Sequence, residues 1–76
     1  MRHKKKLALL SHSEGTKGYH RFFFRSNHQP SVRAMVRSGE IALNKRFQEV
    51  EIVEMACSHE NGWFGCYVVV RETDKE

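Results

Sequence analysis

The dipeptide Asn61-Gly62 constrains this chain more than any other pair of residues. It is the strongest short signal for a two-residue type I′ turn, and it stands between two runs rich in valine, isoleucine and aromatics, Val50 to Cys57 and Trp63 to Arg71. A two-residue turn fixes the register of the strands it joins, so opposed residues have numbers summing to 123. Glu60 then faces Trp63, His59 faces Phe64, Cys57 faces Cys66, Met55 faces Val68 and Val53 faces Val70, and from Val53 to Cys57 these pairs form an apolar face. The other face pairs Ala56 with Tyr67, Glu54 with Val69 and Ile52 with Arg71, an amphipathic surface expected to be partly exposed.

A second hairpin precedes it. Leu7 to Ser13 and Tyr19 to Ser26 flank the glycine-punctuated loop Glu14-Gly15-Thr16-Lys17-Gly18. Strand alternation sends His20, Phe22 and Phe24 to one face and Tyr19, Arg21, Phe23 and Arg25 to the other. The stretch Asn27 to Ser31 ends the strand, because Pro30 has no N–H to donate and Ser31 suits a helix N-cap. From there Val32, Met35, Val36, Gly39, Ala42, Leu43 and Phe47 recur at spacings of three and four, predicting a helix of about 16 to 18 residues. Gly39 either faces inward, where a missing side chain permits close approach to a sheet, or splits the segment in two.

The expected fold class is α+β: one two-layer domain over residues 1–76, strand-strand-helix-strand-strand, with one helix on a four-stranded, largely antiparallel sheet. The alternative is a small five-stranded OB-like barrel in which residues 32–47 are loop and short strand. The expected core is Leu10, Phe22, Phe24, Val32, Val36, Leu43, Phe47, Val53, Met55, Phe64, Val68 and Val70, with a basic arm over 1–6 and a frayed acidic tail over 72–76.

Charge is unevenly divided. Residues 1–38 carry nine Lys and Arg against Glu14 alone, whereas residues 39–76 carry four against eight Asp and Glu, so the net charge of +4 conceals a strong asymmetry. A one-signed excess of that size marks a surface for a polyanion or an acidic protein. The longest apolar runs, Leu7–Leu10, Phe22–Phe24 and Tyr67–Val70, fall far short of the roughly 20 residues that cross a bilayer, and no membrane association is expected. The basic start is followed by too few apolar residues for a secretory signal, which suggests a cytoplasmic protein.

In a reducing compartment Cys57 and Cys66 are expected to be free core thiols, although their cross-strand opposition is compatible with a disulfide. A metal site built on Cys57, His59 and Cys66, with His12 or His20 as fourth ligand, is a third reading, weakened by the lack of a Cys-x-x-Cys knuckle. No cofactor-binding pattern is present. Ser11, His12 and Ser13, or Cys57 and His59, supply nucleophile–base pairs only on paper, so no enzyme is expected; a small nuclease is the residual catalytic alternative.

The constellation that carries chemistry is Tyr19, Arg21, Phe23 and Arg25, with Lys17 before it, Lys4, Lys5 and Lys6 in the arm, and Arg33 and Arg37 one helical turn apart. Aromatic rings stack on unpaired bases, arginines clamp phosphates with paired donors, and a basic arm adds salt-dependent affinity. Lys17-Gly18-Tyr19 followed by Phe22, Phe23 and Phe24 resembles, over about eight residues, the Lys-Gly-aromatic strand of RNA-recognition and cold-shock domains. Arg21 stands where those motifs place an aromatic, and the element order differs from an RNA-recognition fold, so the likeness is to the strand alone. The expected function is binding of RNA or another single strand. The alternative is a protein-binding regulator or inhibitor that docks its cationic face on an acidic surface of a larger protein, or that forms a homodimer through its aromatics.

Overall fold

A computed structural model describes residues 5–73. It contains strands β1 (Leu7–Glu14), β2 (Tyr19–Ser26), β3 (Val50–Glu60) and β4 (Trp63–Glu72), one helix, α1 (Val32–Leu43), and a short 3-10 turn at Thr16–Gly18. The four strands form one antiparallel sheet in the order β1-β2-β4-β3, with α1 packed on one face. This is the two-layer α+β arrangement the sequence predicts, not the barrel. Among the described residues, no helix is long and apolar enough to cross a membrane.

Asn61 and Gly62 have φ of 52° and 81°, the two left-handed residues that a type I′ turn requires. From that turn the pairs Glu60–Trp63, His59–Phe64, Cys57–Cys66, Met55–Val68 and Glu54–Val69 run in the predicted register. The register then shifts at a β-bulge: Val53 is the extra residue, Ile52 pairs with Val70 and Glu51 with Arg71. Val53 is therefore 47% exposed and not in the core as expected. Unshifted pairing would have set Glu51 against Glu72; the bulge sets it against Arg71, and the two close an ion pair of 2.8 Å. A second bulge in β1 extrudes Leu10, which is 64% exposed and likewise lost from the expected core. It keeps Leu7, Leu9 and His12 on the inner face, which unbroken alternation from Leu9 would have given to Ser11 and Ser13.

Ser31 caps α1, its hydroxyl accepting from the Ala34 N–H at 3.1 Å. The helix has 12 residues, shorter than expected, because Asn44 adopts the left-handed conformation and its N–H closes back on Glu40 and Ile41. Phe47 still reaches the core, carried there by the following loop and fixed by its N–H donating to the Glu40 carboxylate at 3.0 Å. Gly39 lies inside the helix and faces inward: a Cβ there would sit 2.8 Å from Cε1 of the Phe22 ring. The core comprises Phe22, Phe24, Met35, Phe47, Cys66, Val68 and Val70.

Two features of the inner face correct the cysteine reading. Cys57 and Cys66 are joined in a disulfide, not free. Counting from the hydrogen-bonded pair beside the turn, they occupy a non-hydrogen-bonded position, where opposed side chains lie closest. The alternative metal set is not assembled either, since His59 lies against the Phe64 ring at 4.5 Å and His12 and His20 bond each other at 3.0 Å. His20, 2% exposed, continues this chain to Glu72 at 3.3 Å, and Lys45 closes it at 3.2 Å.

Candidate nucleic-acid interface

The face of the sheet away from α1 is where strand alternation brings the predicted side chains together. On β2, His20, Phe22, Phe24 and Ser26 are buried while Tyr19, Arg21, Phe23 and Arg25 are exposed. All four lie along one strand on one side, with Tyr19 38% and Phe23 39% exposed.

The neighbour of β2 is β4, and its outward residues extend the set. Phe23 pairs with Tyr67, Arg21 with Val69 and Tyr19 with Arg71. The Phe23 and Tyr67 rings lie 5.8 Å apart in a tilted pair, the Arg25 guanidinium rests 4.2 Å over Trp63, and that of Arg71 lies 5.9 Å from Tyr19. Rings and guanidinium groups are thus interleaved over two strands, with cation–π contact holding Arg25 over Trp63 and Arg71 beside Tyr19. Trp63, Tyr67 and Arg71 were absent from the predicted site because sequence shows alternation within a strand but not which hairpin strands become neighbours.

Beyond β4 the surface changes sign. Glu51, Glu54 and Glu60 lie on the same side of β3, and Glu51 is taken up by Arg71. The Tyr67 hydroxyl donates to Oε2 of Glu54 at 2.7 Å. That hydrogen bond, with some desolvation and the carboxylate's charge, raises the phenol's pKa above its ordinary 10.0, against a smaller opposing pull from Arg21. The open face therefore runs from cationic and hydroxyl-bearing on β1 and β2, through aromatic, to acidic on β3.

The remaining predicted residues fall in different places. Lys5 and Lys6 are exposed, and Lys6 is tied to Asn27 just beyond the Arg25 end of β2, its N–H donating to Oδ1 at 2.8 Å. Lys17, exposed in the β1–β2 turn, stands at the opposite, Tyr19 end. Lys4 lies outside the described residues. Arg33 and Arg37 do not extend the surface: they project from α1 on the other side of the sheet, lining a groove with Val32, Val36, Val50 and Ile52. The helix packs on the inner face, so its arginines are separated from those of β2 by the thickness of the sheet.

Nor are the paper nucleophile–base pairs assembled. Ser11 and Ser13 pair with Phe23 and Arg21 on the open side, His12 points inward, and Cys57 is bridged to Cys66. No family model matches the chain, and comparison with curated proteins and solved structures finds no match.

Proposed function

We propose that this protein binds RNA or another single-stranded nucleic acid across the open face of its sheet. The observation that carries the reading is the exposed row Tyr19, Arg21, Phe23 and Arg25, flanked on β4 by Trp63, Tyr67 and Arg71. A single strand laid along this row places bases on rings and phosphates within reach of guanidinium donors. The acidic border on β3 turns the phosphate backbone toward β1 and β2, where Lys5, Lys6 and Lys17 stand at the two ends. Rings outnumber the asparagines and glutamines that read bases in a duplex groove, which favours unpaired bases as the target.

The test is fluorescence anisotropy of labelled mixed-sequence single-stranded RNA and DNA at about 50 and 200 mM salt. The reading expects binding that weakens steeply with salt and falls with Tyr19→Ala or Phe23→Ala. Absence of binding at the lower salt abandons it. The protein-docking alternative draws on one observation: β1 and β3 are edge strands, open to strand addition by a partner. Retention of a defined acidic protein from nuclease-treated extract supports that reading in place of the first.

A further inference from the structure

At the centre of the open face lies a cavity of about 250 Å³ lined by Arg21, Phe23, Glu54, Tyr67 and Val69. The sheet's register explains its shape. Arg21 pairs with Val69 and Val69 with Glu54, so one row across three strands reads arginine, valine, carboxylate. With strands about 4.8 Å apart, the arginine and the carboxylate stem from backbones about 9.6 Å apart, over a floor made by one small apolar side chain. The next row, Phe23, Tyr67 and Ala56, supplies a wall of two rings.

Arg21 and Glu54 form no ion pair with each other among the described residues. Glu54 spends Oε2 on the Tyr67 hydroxyl, and Oε1 takes no hydrogen bond among the described residues. The cavity thus presents a planar five-donor group on one side, a carboxylate with spare lone pairs on the other, and rings beside an apolar floor. Its size is below the roughly 300 Å³ where drug-sized ligand pockets begin, which suits one planar ring system better than a larger ligand.

Resting on the nucleic-acid reading above, we infer that this cavity is a base pocket selective for guanine. Guanine offers two acceptors, O6 and N7, to a guanidinium, and two donors, N1–H and the N2 amino group, to a carboxylate. Cytosine, adenine and uracil each offer a carboxylate a single donor group from the edge that also presents acceptors, so none satisfies both partners twice. Tyr67 is held in its donating, neutral form by the same carboxylate, which fixes Glu54 in place for the base.

The experiment compares four labelled RNA hexamers: uridine throughout, and the same with one internal guanosine, cytidine or adenosine. The guanosine hexamer is expected to bind about tenfold tighter than the all-uridine one, the effect of one good bidentate contact. Glu54→Gln, whose amide oxygen can still accept from Tyr67, is expected to bring that ratio close to one. Equal affinity for all four hexamers, or a guanosine preference that survives Glu54→Gln, overturns the inference while leaving single-strand binding intact. Failure of every hexamer to bind overturns both the pocket and the reading it rests on.

Discussion

Phe22 and Phe23 are adjacent residues of one type, and the two-residue period of β2 gives them opposite tasks. Phe22 is fully buried beneath Gly39, whereas Phe23 stands 39% exposed beside Tyr67. Phe23→Ala is therefore expected to lower affinity for single-stranded RNA by about 1–3 kcal/mol, the contribution of one stacked base, with little change in melting temperature. Phe22→Ala removes a ring from the core and is expected to cost about 3–5 kcal/mol of stability, read by denaturant melting. Gly39 sets two effects against each other. Alanine normally gains about 1 kcal/mol over glycine inside a helix, but a Cβ here meets the fully buried Phe22 ring at 2.8 Å, and overpacking costs about 1–3 kcal/mol. Gly39→Ala is expected to lower the melting temperature.

Glu72 supplies a pH dependence at the same scale. Burial alone raises its pKa, but hydrogen bonds from His20 and Lys45, with their charges, outweigh burial and leave the carboxyl below its ordinary 4.5. A carboxyl whose pKa falls on folding stabilises the fold above the unfolded-chain value, and that contribution is lost as pH drops through the lower, folded value. Melting temperature in the wild type is thus expected to fall below about pH 4.5 partly through this group. In Glu72→Gln that portion of the acid loss is expected to disappear, and a profile unchanged by the substitution would refute the assignment.

Among the elements, the β3–β4 hairpin shows how far local signals reach. Asn61-Gly62 predicts the turn and the pairing as far as Glu54–Val69, because the turn geometry propagates rigidly along both strands. It does not predict the bulge at Val53, which arises from longer-range demands, the pairing of Glu51 with Arg71 among them. The bulge that extrudes Leu10 likewise has no local signal in the sequence. The end of α1 was hidden because Phe47 continues the apolar spacing of the helix while reaching the core from a loop. The disulfide belongs to this scale too. Cys57–Cys66 closes a short loop already held by the I′ turn, and its reduction is expected to remove about 2–3 kcal/mol, seen as a lower melting temperature in reductant with the hairpin still formed.

At the scale of the whole molecule, the order β1-β2-β4-β3 decides what the protein presents to its surroundings. It brings the Arg and aromatic row of β2 against the rings of β4 and moves the carboxylates of β3 to the far border. The β2 part of the candidate site was legible in sequence, since alternation alone puts Tyr19, Arg21, Phe23 and Arg25 on one side. The β4 part, Trp63, Tyr67 and Arg71, depended on strand adjacency. Arg33 and Arg37 were misplaced because helical spacing groups them with each other and says nothing of which side of the sheet they occupy. On the proposed function the open face, and not the helix side, meets the nucleic acid. This is tested most directly by following arginine side-chain N–H resonances during titration with single-stranded RNA. Those of Arg21, Arg25 and Arg71 are expected to move together while those of Arg33 and Arg37 stay in place. Movement of Arg33 and Arg37 with the β-strand arginines unperturbed would contradict it.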